Sequence, residues 1–423
     1  MKACLPYQIV HVQLEIQLNL PEANCWKHVC YLVFWWKDIP LGHLYLEYNQ
    51  ILTEEQYYLA LSASIESAVQ QYAVKRGLAN KNWQTLLANP DHRQWKDWMN
   101  SILAASLPSV IPPRVPVSVI ICTRNRALPL KSCLQSLISM SCQPAEIIVV
   151  DNCPTDASTW EVVKEFPQVK YYVESIAGLS YARNTGVKQS TSDIIAFTDD
   201  DVLLHPDWAF RVWETFLDEH VFAMTGLVLV SELQTKAQQI FEKYWSFNRG
   251  YTDTFYDSNY LIENLAVGPP VWQIGAGANG AYRREVFESV GLFDVRLGAG
   301  ASGCSEDSEM WFRILAQGLV VHYNPRAVVY HAHREKIKDL KRQIFYYMRG
   351  HAVAALIQQE QQSKAGYSRR IYRDLPIQYA QRFLAGFPFF RFRYQTLWIE
   401  FKGLVSGVLF YYRNRKQKPM QSS

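Results

Sequence analysis

Between residues 117 and 201, short apolar runs alternate with segments of helical periodicity. Apolar runs of this kind are typical of strands that are buried on both faces of a parallel sheet. Because a helical segment separates successive runs, the pattern predicts β-α-β units in a doubly wound α/β sheet. The predicted strands are Val117–Cys122, Glu146–Asp151, Val169–Glu174 and Ile194–Thr198, and the predicted helices are Pro129–Met140, Ser158–Glu165 and Ser180–Gln189.

The pattern changes on both sides of this block and divides the chain into three predicted regions. Short strands come first, and Thr53 and Gln56 then have the spacing of a capping box at the start of a helix that ends near Gly77. Four prolines between Pro108 and Pro116 mark a linker. We therefore predict an N-terminal α+β module of open role (1–107), a central α/β domain (115–335) and a helical C-terminal region (336–423).

Residues 230–272 contain many aromatic side chains, with Asn, Asp and Gly interspersed among them. An irregular segment of this length inside an α/β domain is typical of a mobile or binding loop rather than of core. The flat faces of its aromatic rings would suit sugar rings, and packing inside the protein is the alternative use for them.

Composition and charge restrict the class of protein. The net charge is only +4 over 423 residues, so the whole chain lacks the charge of a nucleic-acid-binding protein. Eight cysteines show neither a CxxC pair nor zinc spacing, which suits a reducing compartment. We expect a cytoplasmic protein, because no apolar run has the length of a signal-peptide core or of a membrane-spanning helix.

Positive charge is concentrated toward the C-terminal end. From Gln361 onward there are twelve Lys and Arg residues against two Asp and Glu, interleaved with bulky apolar residues, as in Phe387–Tyr394. This composition favours a helix on an anionic membrane surface, so we expect peripheral association with the cytoplasmic face of the membrane. The alternative is a helix packed on the central domain with a solvated basic edge. Nucleic acid is not an expected partner, because no base-reading module accompanies these residues.

Three adjacent carboxylates, Asp199 to Asp201, follow the last of the predicted parallel strands. They repel one another, which disfavours a role in packing alone, whereas Mg²⁺ and Mn²⁺ prefer such oxygen ligands. A solvated acidic turn is the alternative. Thr123 and Asp151 end two other strands, and ligands of open parallel sheets bind beyond the carboxyl ends of the strands. The sequence therefore predicts a nucleotide and metal site at this edge.

Further residues could serve the same site. Arg126 and Arg183 could supply fixed positive charge, although either could equally be a surface or structural arginine. Gly275–Gly280 matches the G-x-G-x-x-G pattern, but Gly291–Phe293 is too short for the second strand that a dinucleotide fold would need. We interpret the glycine-rich stretch as a floor under a substrate.

Two later segments carry acid–base and ligand chemistry. Glu306 and Asp307 precede a predicted helix, Ser308–Gln317. Carboxylates there can cap the helix, and one held at a cleft edge can take a hydroxyl proton, which makes Asp307 a candidate general base. His331 and His333 follow a predicted strand, where a lone His is usually structural; their alternate spacing beside a suspected metal site makes them candidate ligands, with a structural role as the alternative.

These segments stand in the order and spacing of a known family. Over about residues 115–335 the chain resembles family 2 glycosyltransferases, and in particular bacterial rhamnosyltransferase-like enzymes of cell-surface polysaccharide synthesis. The resemblance implies a GT-A fold with a mostly parallel, Rossmann-like sheet, and inverting, metal-dependent sugar transfer. The segments that carry it are Val117–Thr123, Ile147–Asp151, Gly178–Gly186, Phe197–Asp201, Gly277–Arg284 and Glu306–Asp307.

The resemblance also implies roles for single residues. Asp151 corresponds to the residue that contacts the nucleotide base. Asp199 and Asp201 correspond to the outer acids of the DXD motif, near the ribose and on the metal respectively, and Asp200 could share their roles. Asp307 matches the catalytic base, and His331 matches a further metal contact. The other expected contacts are Thr123, Asn125, Arg126 and Arg183 to the donor, and Gly277, Asn279 and Glu306 to the acceptor sugar.

The predicted reaction moves a sugar from a nucleotide-diphosphate donor to a glycan or lipid-linked acceptor, with Mg²⁺ or Mn²⁺ as cofactor. The resemblance favours a UDP- or dTDP-sugar. One alternative is a catalytically silent nucleotide-sugar-binding or scaffold subunit, against which the intact acids argue. The other is a nucleotidyltransferase, which would carry a glycine-rich loop after the first strand, whereas Thr123–Arg126 contains no glycine.

Overall fold

The computed structural model describes residues 5–19, 29–47, 52–79, 82–89, 91–388 and 396–416. The strands are β1 (Tyr7–Gln13), β2 (Val29–Trp36), β3 (Ile39–Leu46), β4 (Arg114–Thr123), β5 (Gln143–Asn152), β6 (Val169–Glu174), β7 (Ile194–Asp199), β8 (Val202–Leu204), β9 (Val221–Val230), β10 (Thr254–Tyr256), β11 (Asn279–Arg283) and β12 (Val320–His331). The helices are α1 (Glu54–Lys75), α2 (Trp83–Leu87), α3 (Arg93–Leu103), α4 (Ala127–Ile138), α5 (Ser158–Val163), α6 (Leu179–Gln189), α7 (Trp208–Thr215), α8 (Lys236–Trp245), α9 (Ser258–Glu263), α10 (Arg284–Ser289), α11 (Glu306–Ala316), α12 (Ile337–Gln361), α13 (Tyr367–Arg369), α14 (Leu375–Gly386) and α15 (Leu397–Asn414), with a π-helical segment (Arg370–Asp374) before α14.

A mixed sheet organises the chain, with strand order β10-β12-β9-β11-β7-β4-β5-β6 and with β8 paired to β12. Strands β4 to β7 are mutually parallel, and β9 is parallel to β12. Between these two groups β11 runs antiparallel to both β7 and β9. The carboxyl ends of β4, β5, β7 and β12 therefore meet at one edge, where β11 begins. The predicted α/β class with a mostly parallel sheet is confirmed.

Both faces of the parallel strands are covered, which explains their continuous apolar sequence. Val119 and Ile121 of β4 belong to a core shared with α4, while the intervening Ile120 packs on the opposite face in a core that includes Ala182 of α6. The strand ends lie in register: Thr123 is opposite Asp151, and Cys122 is opposite Asp199. This register brings together at one edge the polar residues that end separate apolar runs.

The N-terminal segment forms a small sheet of β1, β2 and β3 covered by α1 to α3, and the predicted capping box of Thr53 and Gln56 is present. Its core is continuous with that of the large sheet, because Leu227 and Leu229 of β9 belong to the same apolar cluster as Trp36 and Leu61. The domain boundary at residue 107 therefore stays a prediction, because the apolar core continues across it.

The expectation of an irregular loop over residues 230–272 is wrong for much of that segment. It contains α8, β10 and α9, and its Asp253 is buried against two other elements, α1 and β12. Lys75 Nζ of α1 lies 2.9 Å from Asp253 Oδ2, and His322 and Arg326 of β12 each lie 2.8 Å from its carboxylate. Of its aromatic residues, Tyr244, Trp245, Phe247 and Trp272 line the cavity described below.

The C-terminal helices pack on the central domain as well as exposing apolar side chains. Helix α15 lies directly against α12, since a Cβ added at Gly407 would be 2.5 Å from the Arg349 carbonyl oxygen. Phe389–Tyr394 of the aromatic and basic stretch lies outside the described residues. Within the part of the chain that is described, no helix combines the length and the apolar character that crossing a bilayer requires.

Glu146, at the start of β5, joins three neighbouring segments. Its carboxylate accepts hydrogen bonds from Ser118 Oγ at 2.5 Å, from the Thr191 backbone N–H at 2.5 Å and from Lys170 Nζ at 2.6 Å. Burial alone would raise the pKa of Glu146, but these hydrogen bonds lower it to about 2. The ionised carboxylate therefore stabilises the folded state.

We expect Glu146→Gln to lower the free energy of unfolding at pH 7 by about 1–3 kcal/mol, because an amide replaces a charged hydrogen-bond acceptor. Since the folded pKa is below the unfolded value of about 4.3, this contribution is complete above about pH 5 and is lost as pH falls toward 2. Urea unfolding at several pH values measures it. Glu165→Gln, at an exposed ion pair with Lys131, should change little; equal stability of parent and Glu146→Gln at pH 7 would contradict the assignment.

Candidate active site

Asp199, Asp201 and His331 converge at the carboxyl edge of the sheet, where one possible ligand atom from each lies within 4.8 Å of the others. Asp199 ends β7, Asp201 follows it in the turn to β8, and His331 ends β12. His331 reaches the turn because β12 pairs with β8, which sets His331 opposite Val202. Its Nε2 lies 3.7 Å from Asp201 Oδ1. We call these three residues the Asp–His cluster.

The residues of the Asp–His cluster fit a divalent cation. Two carboxylates and one imidazole are a donor set that Mn²⁺ and Mg²⁺ sites use. Burial lowers the pKa of His331 to about 4, so its imidazole is neutral near pH 7 and can act as a ligand. The buried Nδ1 of His331 has no hydrogen-bond partner among the described residues.

Asp200 points away from the cluster and into the sheet edge. Its Oδ2 accepts a hydrogen bond from Thr123 Oγ1 at 2.7 Å, and its Oδ1 lies 2.6 Å from Arg126 Nη1. Arg126 Nη2 also contacts Asp201 Oδ2 at 2.6 Å. Burial raises the pKa of Asp200 to about 7, although Arg126 acts against the rise. Asp199 and Asp201 are therefore the members of the triplet that face the cluster, and Thr123 and Arg126 hold the middle acid.

Arg183 is a buried cation beneath the same edge. Its Nη1 lies 3.1 Å from Glu306 Oε1 and its Nη2 lies 3.8 Å from Asp199 Oδ1. The guanidinium carbon also lies 5.5 Å from the Phe197 ring centroid, within cation–π range. Burial raises the pKa of Glu306 well above its ordinary value, against the effect of Arg183. Arg183 thus neutralises two of the acids and fixes their positions.

Asp307 lies in the first turn of α11, half-buried at the cavity margin. Its Oδ2 accepts a hydrogen bond from the Gly277 backbone N–H at 2.8 Å, and its Oδ1 accepts one from the Ser308 N–H at 2.6 Å. Ser305, which precedes α11, has a left-handed φ of 73° and makes no side-chain capping bond. The predicted glycine-rich floor and the predicted base are therefore in direct contact.

Asp151 and Asn125 lie on the donor side of the edge. Asp151 is fully buried at the end of β5, where Oδ2 accepts a hydrogen bond from Tyr171 Oη at 2.8 Å and Oδ1 has no partner among the described residues. Asn125 is exposed, and its side-chain oxygen accepts a hydrogen bond from the Thr155 N–H at 3.1 Å. Sequence reasoning missed Asn152, which follows Asp151: its side chain accepts a hydrogen bond from the Gly178 N–H and donates one to the Ile176 carbonyl, and no sequence motif marks it.

Two expected site residues are structural. Asn279 is fully buried in β11; its amide bonds Trp208 Nε1 and the Leu227 and Ala327 carbonyls, so the expected sugar contact is not retained. His333 Nε2 lies 2.9 Å from Glu242 Oε2, which leaves His331 as the metal-ligand candidate of the pair.

A cavity of about 1550 Å³ lies over this edge. The Asp–His cluster, Arg183 and Asp307 line one side of it, and residues of α12 and the π-helical segment line the other. Sequence reasoning missed this second side, although the heptad spacing of Arg342 and Arg349 was visible. Its cationic and aromatic lining includes Trp272, Arg342, Tyr346, Arg349, Arg370 and Arg382.

The arrangement suits group transfer to a hydroxyl group. Cationic groups and a metal-ligand set can stabilise a phosphate leaving group, and a carboxylate at the margin of the same cavity can accept a proton.

Comparison with known proteins agrees with this class. Residues 118–291 match the family model described as glycosyl transferase family 2. The chain is 27% identical to glycosyltransferase GlyA of Streptococcus pneumoniae (35% of this chain, 21% of that protein) and 27% identical to the pre-mycofactocin glycosyltransferase of Mycobacterium tuberculosis (58% and 50%). It is 25% identical to the glucosyl-dolichyl phosphate glucuronosyltransferase of Haloferax volcanii (51% and 68%).

The chain thus spans half or less of the length of the first two of these relatives. A solved structure, the mannosyltransferase of Pyrobaculum calidifontis in complex with GDP-Man and Mn²⁺, is 16% identical, with a TM-score of 0.48 over 80% of this chain and 99% of that one. The family model and the curated relatives that this chain matches are thus those of glycosyltransferases.

If the Asp–His cluster holds the cation, Asp201→Asn and His331→Ala should each weaken Mn²⁺ binding about tenfold or more, because each removes one ligand. Isothermal titration with Mn²⁺ measures this, and melting temperatures report on folding. Asp339→Asn is the matched control, since Asp339 lines the same cavity outside the cluster. Equal affinities for the parent and Asp201→Asn would exclude this cluster as the binding site.

Proposed function

We propose that the protein is an inverting glycosyltransferase that moves a sugar from a nucleoside-diphosphate donor to an acceptor hydroxyl, with a divalent cation bound at the Asp–His cluster. The observation that supports this most is that the cluster and Asp307 line one cavity at the carboxyl edge of the sheet. A bound Mg²⁺ or Mn²⁺ would act as a Lewis acid toward the leaving diphosphate.

The donor is proposed to lie along the ends of β4, β5 and β7. There the buried carboxylate of Asp151, near the end of β5, is proposed to contact the base of the expected UDP- or dTDP-sugar. Arg126, whose side chain is partly exposed, can exchange a contact with Asp200 or Asp201 for one with a phosphate. Arg183 is held by Glu306 and Asp199, so we assign it a positioning role.

Asp307 is proposed as the general base. In the transfer, the bond between the sugar anomeric carbon and the donor phosphate breaks, and its electron pair leaves with the nucleoside diphosphate. A bond from the acceptor oxygen to the anomeric carbon forms on the opposite face, and the hydroxyl proton passes to Asp307. A single displacement of this kind inverts the configuration at the anomeric carbon. The Gly277 and Ser308 N–H groups hold the carboxylate in position for this step.

The second candidate is a catalytically silent subunit that binds a nucleotide sugar or acts as a scaffold. The presence of Asp199, Asp201 and Asp307 argues against it. Slow donor hydrolysis without acceptor separates the two, because only an enzyme releases nucleoside diphosphate. A nucleotidyltransferase remains the least favoured, since the loop after β4 has no glycine.

We propose further that the C-terminal helices bind an anionic membrane surface and bring the enzyme to a glycan or lipid-linked acceptor. The outer faces of α14 and α15 expose apolar side chains, among them Leu384 at 72% and Trp398 at 62%. Lys402 and Arg413 line the same groove of α15 as Trp398, which is the combination that anionic bilayers attract.

Asp307→Asn should reduce kcat about 10²–10⁴-fold through loss of the proton acceptor, while donor binding stays within about twofold of the parent because the cluster is unchanged. Product release with a panel of nucleotide sugars measures kcat, and donor-induced shifts in melting temperature measure binding. Asp339→Asn should behave as the parent. Turnover by Asp307→Asn at the parent rate would exclude Asp307 as the base.

Leu384→Glu should weaken binding to vesicles that contain anionic phospholipid about tenfold. The substitution places a negative charge where an apolar side chain would enter the membrane. Flotation with such vesicles measures the bound fraction. Leu217→Glu, at a residue that is 60% exposed outside the C-terminal helices, is the matched control. If the parent and Leu384→Glu float equally, the surface is not a membrane contact.

A further inference from the structure

The cavity is also lined by arginines of α12 and the π-helical segment that have no acidic partners among the described residues. Arg342 and Arg349 lie seven residues apart on one face of α12, and Arg370 begins the π-helical segment. Within the described ranges none of the three forms an ion pair. We call Arg342, Arg349 and Arg370 the arginine wall.

The members of the arginine wall contact aromatic rings rather than acids, and the contacts of Arg349 and Arg370 are closer than the 5.8 Å of Arg342 to the Tyr346 ring centroid. The guanidinium carbon of Arg349 lies 4.6 Å from the Phe410 ring centroid, and that of Arg370 lies 4.7 Å from the Trp272 ring centroid. The Nε of each is buried and has no hydrogen-bond partner among the described residues. Burying unpaired donors is costly, so this arrangement favours an anionic ligand that completes their hydrogen bonding.

An apolar groove continues from the arginine wall along α15. Arg349 and Phe410 line both the cavity and this groove, whose other lining includes Trp398, Val405 and Leu409. Leu409 is 51% exposed and Val405 42%. The cationic cavity and the apolar groove therefore share two residues. A phosphate attached to a hydrocarbon chain has the same order of charged and apolar parts.

The arginine wall also borders the loop that carries the proposed base. A Cβ added at Gly350, the neighbour of Arg349, would lie 2.6 Å from Cys304 Sγ, so α12 contacts the loop three residues before Asp307. The arginine wall and Asp307 also line the same cavity, which would hold both an acceptor phosphate on the wall and the group attached to it.

We propose that the acceptor is a sugar joined through phosphate to a hydrocarbon chain, with the phosphate bound by the arginine wall and the chain in the α15 groove. This inference rests on the proposed function and narrows its acceptor to one class. Arginine suits the role because its planar donors match phosphate oxygens in pairs.

The test is isothermal titration with decyl phosphate, with neither donor nor metal present, so that it does not depend on catalysis. Arg349→Gln and Arg370→Gln should each weaken decyl phosphate binding about tenfold through loss of charged hydrogen bonds. Arg373→Gln, at an exposed arginine of the same π-helical segment outside the cavity, is the matched control and should bind as the parent. Arg342→Gln provides a more exposed position on the wall should Arg370→Gln unfold.

Three further arms identify the source of the phosphate. Inorganic phosphate and decanol should each bind more weakly than decyl phosphate, and Leu409→Gln should weaken decyl phosphate binding alone. If inorganic phosphate binds as tightly as decyl phosphate, the wall serves a free phosphorylated glycan and the lipid assignment is overturned. If decanol binds as tightly, or if Arg349→Gln and Arg370→Gln bind as the parent, the phosphate assignment is overturned.

Asp307→Asn separates this inference from the proposed function. It should bind decyl phosphate as the parent does, since Asp307 is not part of the wall. Intact decyl phosphate binding in a protein that proves inactive as a transferase would overturn the proposed function alone. Lost transfer in Asp307→Asn combined with wall variants that bind as the parent would overturn this inference alone.

Discussion

Negative charge gathered at one edge of the sheet is the constraint to which the rest of the structure responds. Five carboxylates from β7, the following turn and α11 lie around the same cavity. Such a group is stable only if buried cations compensate for it or if some members stay protonated. Arg126 and Arg183 provide the first solution, and the raised pKa of Asp200 shows the second.

This compensation also separates tasks between neighbouring acids. Asp200 contacts Thr123 and Arg126, and Glu306 contacts Arg183, so these two acids have a structural role at the edge of the sheet. Asp307 has backbone N–H groups as its partners instead and keeps a half-exposed position. These hydrogen bonds orient the Asp307 carboxylate at the cavity margin, which is the position that the proposed general base requires.

Much of the fold and of the metal-ligand edge could be predicted because local pattern determines it. The parallel strands are continuous apolar runs, and their polar ends at Thr123, Asp151 and Asp199 follow directly in sequence. What could not be predicted depends on long-range pairing. The antiparallel insertion of β11 buries Asn279 behind the edge, and the pairing of β8 with β12 selects His331 rather than His333.

The N-terminal segment and the arginine wall also depend on long-range contacts that local sequence does not reveal. Their periodicity identified helices and strands, but not the surfaces that these elements cover. The buried Asp253 with its three cationic neighbours ties α1 to β12, and nothing in the local sequence around residue 253 indicates those contacts. Arg349 and Arg370 lie on separate elements, and only the folded arrangement of α12 and the π-helical segment brings them to one cavity.

Helix α12 is clamped between two backbones at a single turn. On one side, Gly407 of α15 packs so closely on the Arg349 carbonyl of α12 that a side chain at Gly407 would not fit. On the other side, Gly350 of α12 packs on Cys304 with equally little space. These two contacts act on consecutive residues of α12, so a displacement of that turn must reach both neighbours at once. The outermost helix and the loop before Asp307 therefore depend on the same turn of α12, and a side chain at Gly350 or Gly407 would push one of these neighbours away.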